Sequence, residues 1–417
     1  MTKEQLDPLS QLDLPAQCDE AAFCCLQRAH AITAPNVDLR HLERDDEVLA
    51  AHIDVLAQSG AVGWDAAVRM LDEAGAAELF VATAVARSVA DWRLVLRLGS
   101  GSTELEGAVA SALGWLGASR AAPYLAELWN ESDPSGSCVG VAAPDELRLD
   151  DVAALTRALS SSSSRLVARS LQTVGDLGRT ELAQTVLTHL RAKQCELRWQ
   201  AVRTATLFGD RSAAIETLED VAVAKTSRCD DALWLLLLAS DRGKGHSALQ
   251  SCRHEGQLRA RISGAGLVGD ASYVPWLIDQ MTNPAVARIA AEAFVHITGA
   301  DFNLDQLEAM PPEDFEDGPS DDPDDDDVEL PEDIALPWPD VERIKAWWME
   351  HRSEFTPGQK LFLGKPITPE HCIHVLKTGY QRQRVIAAHY RCLIQPGTVL
   401  FPTSAPAWRQ QKLLAAM

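Results

Sequence analysis

Five residues near the C-terminus have the types and spacing that can hold a metal ion. His371 and His374 form a His-x-x-His pair, His389 and Cys392 form a His-x-x-Cys pair with fourteen residues between the two pairs, and Cys372 lies within the first. Imidazole and thiolate are the ligands tetrahedral zinc prefers, and two such pairs can supply four of them. The same i, i+3 spacing also puts two residues on one face of a helix, where ordinary packing uses it. A metal-dependent enzyme built on this His/Cys cluster is therefore the less favoured alternative, and no metal or cofactor is assigned. A di-iron centre of the His-Glu kind needs four such dipeptides, and this chain has one, His254-Glu255. No glycine-rich phosphate loop, Gly-x-Ser-x-Gly elbow or His-Glu-x-x-His helix occurs. The chain is expected not to be an enzyme.

A second group suits contact with another protein. Tryptophan and arginine dominate interface energies, which makes Trp338, Trp347, Trp348, Arg352, Arg382, Arg384 and Arg409 candidate protein-contact residues. Of the adjacent pair Trp347-Trp348, one ring is expected in the core and one at a surface. The basic cluster of Arg382, Arg384, Arg391, Arg409 and Lys412 has two readings. It is a solvated face, or it receives an acidic partner, including the acidic run of this same chain or the rim of its repeat region.

The elements that must position these residues come from a repeat. Four segments end one helical pattern and begin another at a glycine: ALGWLGASRAAPYL (112–125), TVGDLGRTELAQTV (173–186), TATLFGDRSAAIET (204–217) and GAGLVGDASYVPWL (264–277). The glycines, Gly117, Gly178, Gly209 and Gly269, are 61, 31 and 60 residues apart, which fits a unit of about 30 taken two, one and two times. The junction missing from that series falls at Ser240-Asp241, the next step reaches Gly299, and Gly60 and a break near Ser88 extend it upstream. Apolar residues stand four and one positions before each glycine (Leu113 and Leu116, Val174 and Leu177, Ala205 and Phe208, Ala265 and Val268), on one helical face. The glycine supplies the left-handed residue that ends a helix. Asp210 and Asp270 then suit capping of the next helix, and Pro123 and Pro275 fall in its first turn. Each unit is a helical hairpin with apolar stripes it cannot cover alone, so neighbours must stack.

The expected fold is all-α: an α-solenoid of helical hairpins with a period of about 30 and a small, mainly helical C-terminal module. Residues 1–37 form an N-terminal helical segment and 38–310 the repeats, with an irregular Gly/Pro/Ser-rich insertion at 129–150. The serines at 160–164 read as a turn between helices, with a partner-contact loop as the other reading for both stretches. Residues 311–333 form an acidic linker, thirteen acids and no base from 313 onward, too polar to build a core. Residues 334–417 form the C-terminal module, with eleven Lys/Arg against five Asp/Glu. Subtracting both from the total of −22 leaves −15 on residues 1–312. An acidic body repels phosphate backbones, so no nucleic acid is expected as a partner. No run approaches the 20 or so apolar residues that cross a bilayer, and Leu233 to Ser240 reads as a buried helix. The nine scattered cysteines and the polar start of the chain fit a cytoplasmic protein with free thiols.

The LGD junctions with their following proline resemble short HEAT repeats of the bilin-lyase-like type. The tail resembles, more specifically, a bacterial HEAT-repeat family whose members recur in gene neighbourhoods of type VI secretion effectors and spike proteins. The residues that carry this are Trp338-Pro339-Asp340, Trp347-Trp348, His351-Arg352, Phe355, Pro357-Gly358, Gly364, Pro366, Gly379, Gln381, Arg382, Arg384, Pro396-Gly397, Ala405-Pro406, Arg409 and Gln410, with residues 38–67 at the other end. The resemblance implies a scaffold that binds a secreted effector or spike protein as adaptor or chaperone. The alternative is an immunity protein that neutralises a cognate toxin. It implies no catalytic residues.

Overall fold

A computed structural model of the chain describes residues 13–417 apart from 74, 118–119, 121–151, 225, 252–256, 313–331 and 357. The predicted insertion at 129–150, Pro123, His254-Glu255 and most of the acidic run lie outside the described residues.

The chain is all-α. In order, the helices are α1 (Leu14–Ala31), α2 (Leu39–Gln58), α3 (Gly60–Arg69), α4 (Ala76–Val85), α5 (Val89–Gly99), α6 (Thr103–Leu116), α7 (Val152–Leu159), α8 (Ser164–Asp176), α9 (Ala183–Thr188), α10 (Cys195–Leu207), α11 (Ala213–Val223), α12 (Cys229–Ala239), α13 (Arg242–Ser251), α14 (Leu258–Val268), α15 (Val274–Gln280) and α16 (Ala287–Thr298). After them come β1 (Glu308–Ala309) and β2 (Trp338–Pro339), α17 (Val341–His351), β3 (Leu361–Phe362) and β4 (Lys365–Pro366), α18 (Pro369–Thr378), α19 (Gln381–Ile394) and α20 (Ala407–Ala415). β1 pairs antiparallel with β2, and β3 with β4. Among the described residues, no helix is long and apolar enough to cross a membrane, and the seven described cysteines are free thiols.

The turn chemistry follows the spacing. Gly60, Gly117, Gly178, Gly209, Gly269 and Gly299 all have φ between +64° and +89°. Asp210 accepts the N–H groups of Ser212 and Ala214, Asp270 accepts that of Ser272, and Pro275 opens α15. The junction without a glycine falls at Ser240, whose extended backbone separates α12 from α13. The residues four before the glycines (Leu113, Val174, Ala205, Ala265) are buried, as are Val274, Leu277 and Ile278 on the following helix and Leu235–Leu238 in α12. The serines at 160–164 turn the chain between α7 and α8, with Ser163 capping α8.

The chain divides into two compact units. The first comprises Met1–Thr33, Val37–Leu177 and Pro402–Met417. In it α1 packs on α2 and α4, α4 on α6, and α20 on α2. The buried stripe of α2 is Leu39, Leu42, Asp46, Leu49, Ile53 and Leu56, every third or fourth residue, with one carboxylate inside it. The second unit comprises Ala34–Asn36 and Gly178–Phe401. Here α10, α12, α14 and α16 pack in a row, and α9, α11, α13 and α15 each pack against the following member of it. The segment from β2 to α19 lies on this row: α19 on α10 and α12, and β2 and β3 on α16. The residues read from sequence as one module, 334–417, thus contribute up to Phe401 to the second unit and the remainder to the first.

Candidate functional site

Every α-helix leaves its last carbonyl groups without intrahelical donors, and these carry partial negative charge. In the second unit a short stretch of the tail supplies the donors for three helices in turn. The Lys360 ammonium donates to the carbonyl oxygens of Leu237, Leu238 and Ser240 at 2.7, 2.9 and 3.2 Å, at the end of α12. The Leu361 N–H donates to Gly269 O at 2.8 Å, at the end of α14, where the Tyr390 hydroxyl donates to Leu267 O. The N–H groups of Leu363 and Gly364 donate to His296 O and Ile297 O at 2.7 and 3.1 Å, at the end of α16. Burial, aided by the Arg211 guanidinium, pushes the Lys360 pKa down to about 7 against the attraction of the Asp241 carboxylate.

The first unit caps α20 at the opposite end, its N-terminus. Asp46, fully buried in the stripe of α2, accepts the N–H of Ala407 at 2.5 Å and so caps α20 from another helix. Arg28 donates to Asp46 at 2.5 Å and to Ser404 O at 2.9 Å, and lies over the Trp115 ring. Burial raises the Asp46 pKa despite Arg28. Arg409 donates to Gly114 O at the end of α6, and Trp408 packs edge-on against Trp115 at 4.7 Å.

This geometry corrects several expectations for the contact candidates. Arg384 is fully buried and donates to Leu376 O at the end of α18 and to Gln381. Arg409 is buried at α6, and Trp338 is buried with the Arg288 guanidinium over its ring at 4.9 Å. These three hold the chain to itself, because helix ends and a buried indole must find partners inside the fold. Arg382 is half-buried and pairs with Glu292 of α16 at 3.1 Å while donating to Glu332 O, so it takes up the repeat helices and the end of the acidic run of its own chain. Asp333, next along, meets Arg259 at 2.8 Å and Arg288 at 3.6 Å.

The remaining candidates, Trp347, Trp348 and Arg352, come together on α17 and the turn after it. Asp340 caps this helix through the Arg343 N–H, and Ile344 is its one buried residue, so the helix stands on a narrow contact. Trp347 and Trp348 are both half-buried, rather than one inside and one outside. Trp347 stacks on His351 at 4.2 Å and meets Phe294 edge-on at 5.5 Å, and Trp348 lies against Phe355 at 5.4 Å. The His351 Nδ1 sits 2.8 Å from Trp347 O, which fixes the stack. Arg352 is exposed, as is the Met349 side chain. The result is an aromatic shelf with a cation and a thioether at its rim.

The His/Cys cluster is dispersed into other contacts. His371 Nε2 lies 2.8 Å from Phe362 O, His389 Nδ1 lies 2.9 Å from Val385 O while its ring packs on Trp234, and Cys392 donates to Thr398 O. Burial lifts the Cys372 thiol to about 11. Among the described residues, no three His, Cys, Asp or Glu side chains gather where a metal ion could sit.

Lys360 and Asp46 escape a reading by motif. Asp46 does leave a signal, a carboxylate at a core position of an apolar stripe. Lys360 leaves none, since its partners are backbone carbonyls 120 or more positions away. No protein-family model matches the chain, and no curated protein matches it.

Proposed function

We propose that the chain is a non-enzymatic protein-binding scaffold of HEAT-like helical hairpins, acting in the cytoplasm as adaptor or chaperone for a type VI secretion effector or spike component. The observation that carries the binding role is the α17 shelf, where Trp347, Trp348 and Phe355 stay half-buried beside exposed Met349 and Arg352. Aromatic and arginine side chains held rigid at a surface are the anchors that give protein interfaces most of their energy. A half-buried Trp fixed by stacking loses little side-chain entropy on binding. The secretion partner rests on the resemblance of the tail to its bacterial HEAT-repeat family.

The test is affinity purification from the native cell, identified by mass spectrometry, with the wild type and with Trp348→Ala/Arg352→Ala. An effector or spike protein recovered with the wild type and depleted at least tenfold with the variant supports the proposal. Recovery of no protein partner sinks it. Deleting the gene separates adaptor from immunity: loss of the toxin from the secretion spike is the adaptor's outcome, and poisoning by sister cells is that of an immunity protein.

A further inference from the structure

Outside the α17 shelf, the second unit holds a preorganised cluster at the meeting of α13, α14 and α15. Asp270, its side chain 2% exposed, accepts Arg242 Nε at 2.5 Å, His246 Nε2 at 3.1 Å and the Ser272 N–H at 2.9 Å. A carboxylate accepts only, so His246 carries its proton on Nε2 and leaves Nδ1 to take the Tyr273 hydroxyl at 2.7 Å. The His246 and Tyr273 rings stack at 4.9 Å, and Trp276 follows at 6.2 Å from Tyr273. The Arg261 guanidinium lies over the Trp276 ring at 5.3 Å. Among the described residues, no carboxylate pairs with Arg261.

Arg242 therefore pairs with a carboxylate that is also taken by a backbone N–H and an imidazole. Among the described residues, that leaves Arg261 as a cation without an ion pair in a chain whose net charge is −22. Both arginines present what a carboxylate needs. Arg242 spends Nε on Asp270 and keeps its terminal nitrogens, on a side chain 52% exposed. Arg261 is covered on one face by indole and keeps its N–H rim for bidentate pairing. The surroundings are aromatic, and they adjoin the α17 shelf. α15 packs beside α17, and Gly358, three residues after Phe355, runs so close to Arg242 that an added Cβ would lie 2.8 Å from its Nη1. A surface of Arg, Tyr and Trp continuous with such a shelf fits a polypeptide chain, and its charge selects an acidic one.

We propose that Arg242, Arg261, Tyr273 and Trp276 form a receptor for an acidic segment of a partner protein, with a carboxylate on the guanidinium groups and its apolar neighbour on the Trp276 ring. The receptor rests on the scaffold reading and names the chemistry of the partner.

Fluorescence anisotropy tests it with the full-length chain and a fluorescein-labelled peptide, Gly-Glu-Glu-Trp-Glu-Glu. Saturable binding is expected at 50 mM NaCl, weakened at least tenfold at 300 mM. Arg261→Ala and Trp276→Ala should each weaken it at least fivefold, with Arg261→Lys in between because lysine keeps the charge and loses the fork. Arg198→Ala, which breaks a surface pair with Asp220 elsewhere in the unit, should leave the affinity unchanged. No saturable binding at low salt, equal affinity in Arg261→Ala, or equal binding of the Gly-Lys-Lys-Trp-Lys-Lys peptide or a dT oligonucleotide overturns the proposal. Circular dichroism on Arg261→Ala guards against misfolding, and Arg261 has no carboxylate partner among the described residues whose loss would unfold the chain. A native partner still captured by Arg261→Ala but lost from Trp348→Ala/Arg352→Ala leaves the scaffold standing and removes this receptor.

Discussion

Gly269 and Leu361 are joined backbone to backbone: the Leu361 N–H donates to Gly269 O at 2.8 Å, and a Cβ on Gly269 would overlap the Leu361 carbonyl oxygen. Gly269 has φ +68°, so it both ends α14 and lets the tail strand approach. Alanine there carries the left-handed penalty of about 1–2 kcal/mol, and the clash with Leu361 adds to it. Gly269→Ala should therefore lower the melting temperature and expose 360–366 to protease. Gly243→Ala is the control: it lies in α13 with ordinary φ, and an added Cβ would meet nothing nearer than Asp241 Oδ1 at 3.6 Å. It should be neutral or stabilising by up to about 1 kcal/mol. Equal behaviour of the two variants would show that the strand does not sit on Gly269.

The Lys360 ammonium gives a pH-dependent stability with an unusual sign. Its pKa in the fold is about 7, against an ordinary value of 10.5. Between those values the unfolded chain binds more protons than the folded one, so stability rises with pH across that window. Lys360→Met removes the group and its titration, and leaves the carbonyls of Leu237, Leu238 and Ser240 without this donor. The expected loss is about 1–3 kcal/mol at pH 7, widening toward pH 9.5. Paired denaturant titrations at pH 7 and 9.5 measure it. A wild-type advantage that stays flat over that range would mean the ammonium keeps its proton on the three carbonyls.

What could be read from the sequence, and what could not, divides by distance along the chain. The turn glycines were legible because each junction repeats the same local need, apolar residues four and one before and a positive φ, with a capping aspartate after two of them, Gly209 and Gly269. Asp340 and Thr368 open helices by the same local chemistry, each side chain capping a backbone N–H three residues on. The fates of Arg384 and Arg409 were not. An arginine that serves a helix end inside the fold and one that waits at a surface have the same sequence, and the difference lies in partners such as Gly114, 295 positions from Arg409. Ligand spacing, from which no metal was assigned, is silent on contacts in the same way. His371 and His389 stand at ligand spacing, but each turns a ring nitrogen to a backbone carbonyl.

Asp46 anchors the last helix of the first unit, and its removal should free that helix. The Arg28–Asp46 pair is nearly dry, with side chains 11% and 0% exposed. Deleting one partner of such a pair costs about 3–5 kcal/mol because the other charge stays buried. Asp46→Ala should approach that loss and also strip the cap from the Ala407 N–H, so carboxypeptidase should release residues 407–417 at least tenfold faster. Asp46→Asn keeps an acceptor for that N–H and should fall between. Because burial raises the Asp46 pKa above its ordinary 3.8, the folded chain holds this proton more tightly. The wild type's stability contribution from this group therefore declines as pH rises from 3.8 through the raised value. Unchanged carboxypeptidase kinetics in Asp46→Ala would mean that α20 is held without this cap.

Leu363 carries a strain that one substitution should relieve. It and Gly364 form the two-residue turn between β3 and β4, with φ +49° and +74°. Positive φ at both positions is the type I′ pattern, whose favoured pair is Asn-Gly. Leucine is unfavourable in that region, yet the turn is held there because the Leu363 and Gly364 N–H groups must both reach the end of α16. Leu363→Asn keeps both N–H donors and installs the preferred pair, so it should stabilise the chain by about 1 kcal/mol. The Leu363 side chain is only half-buried, so little apolar packing is lost in exchange. A rise in melting temperature for Leu363→Asn, set against a fall for Leu363→Val, would establish the left-handed turn. Valine is the stricter probe, since β-branched residues tolerate positive φ least.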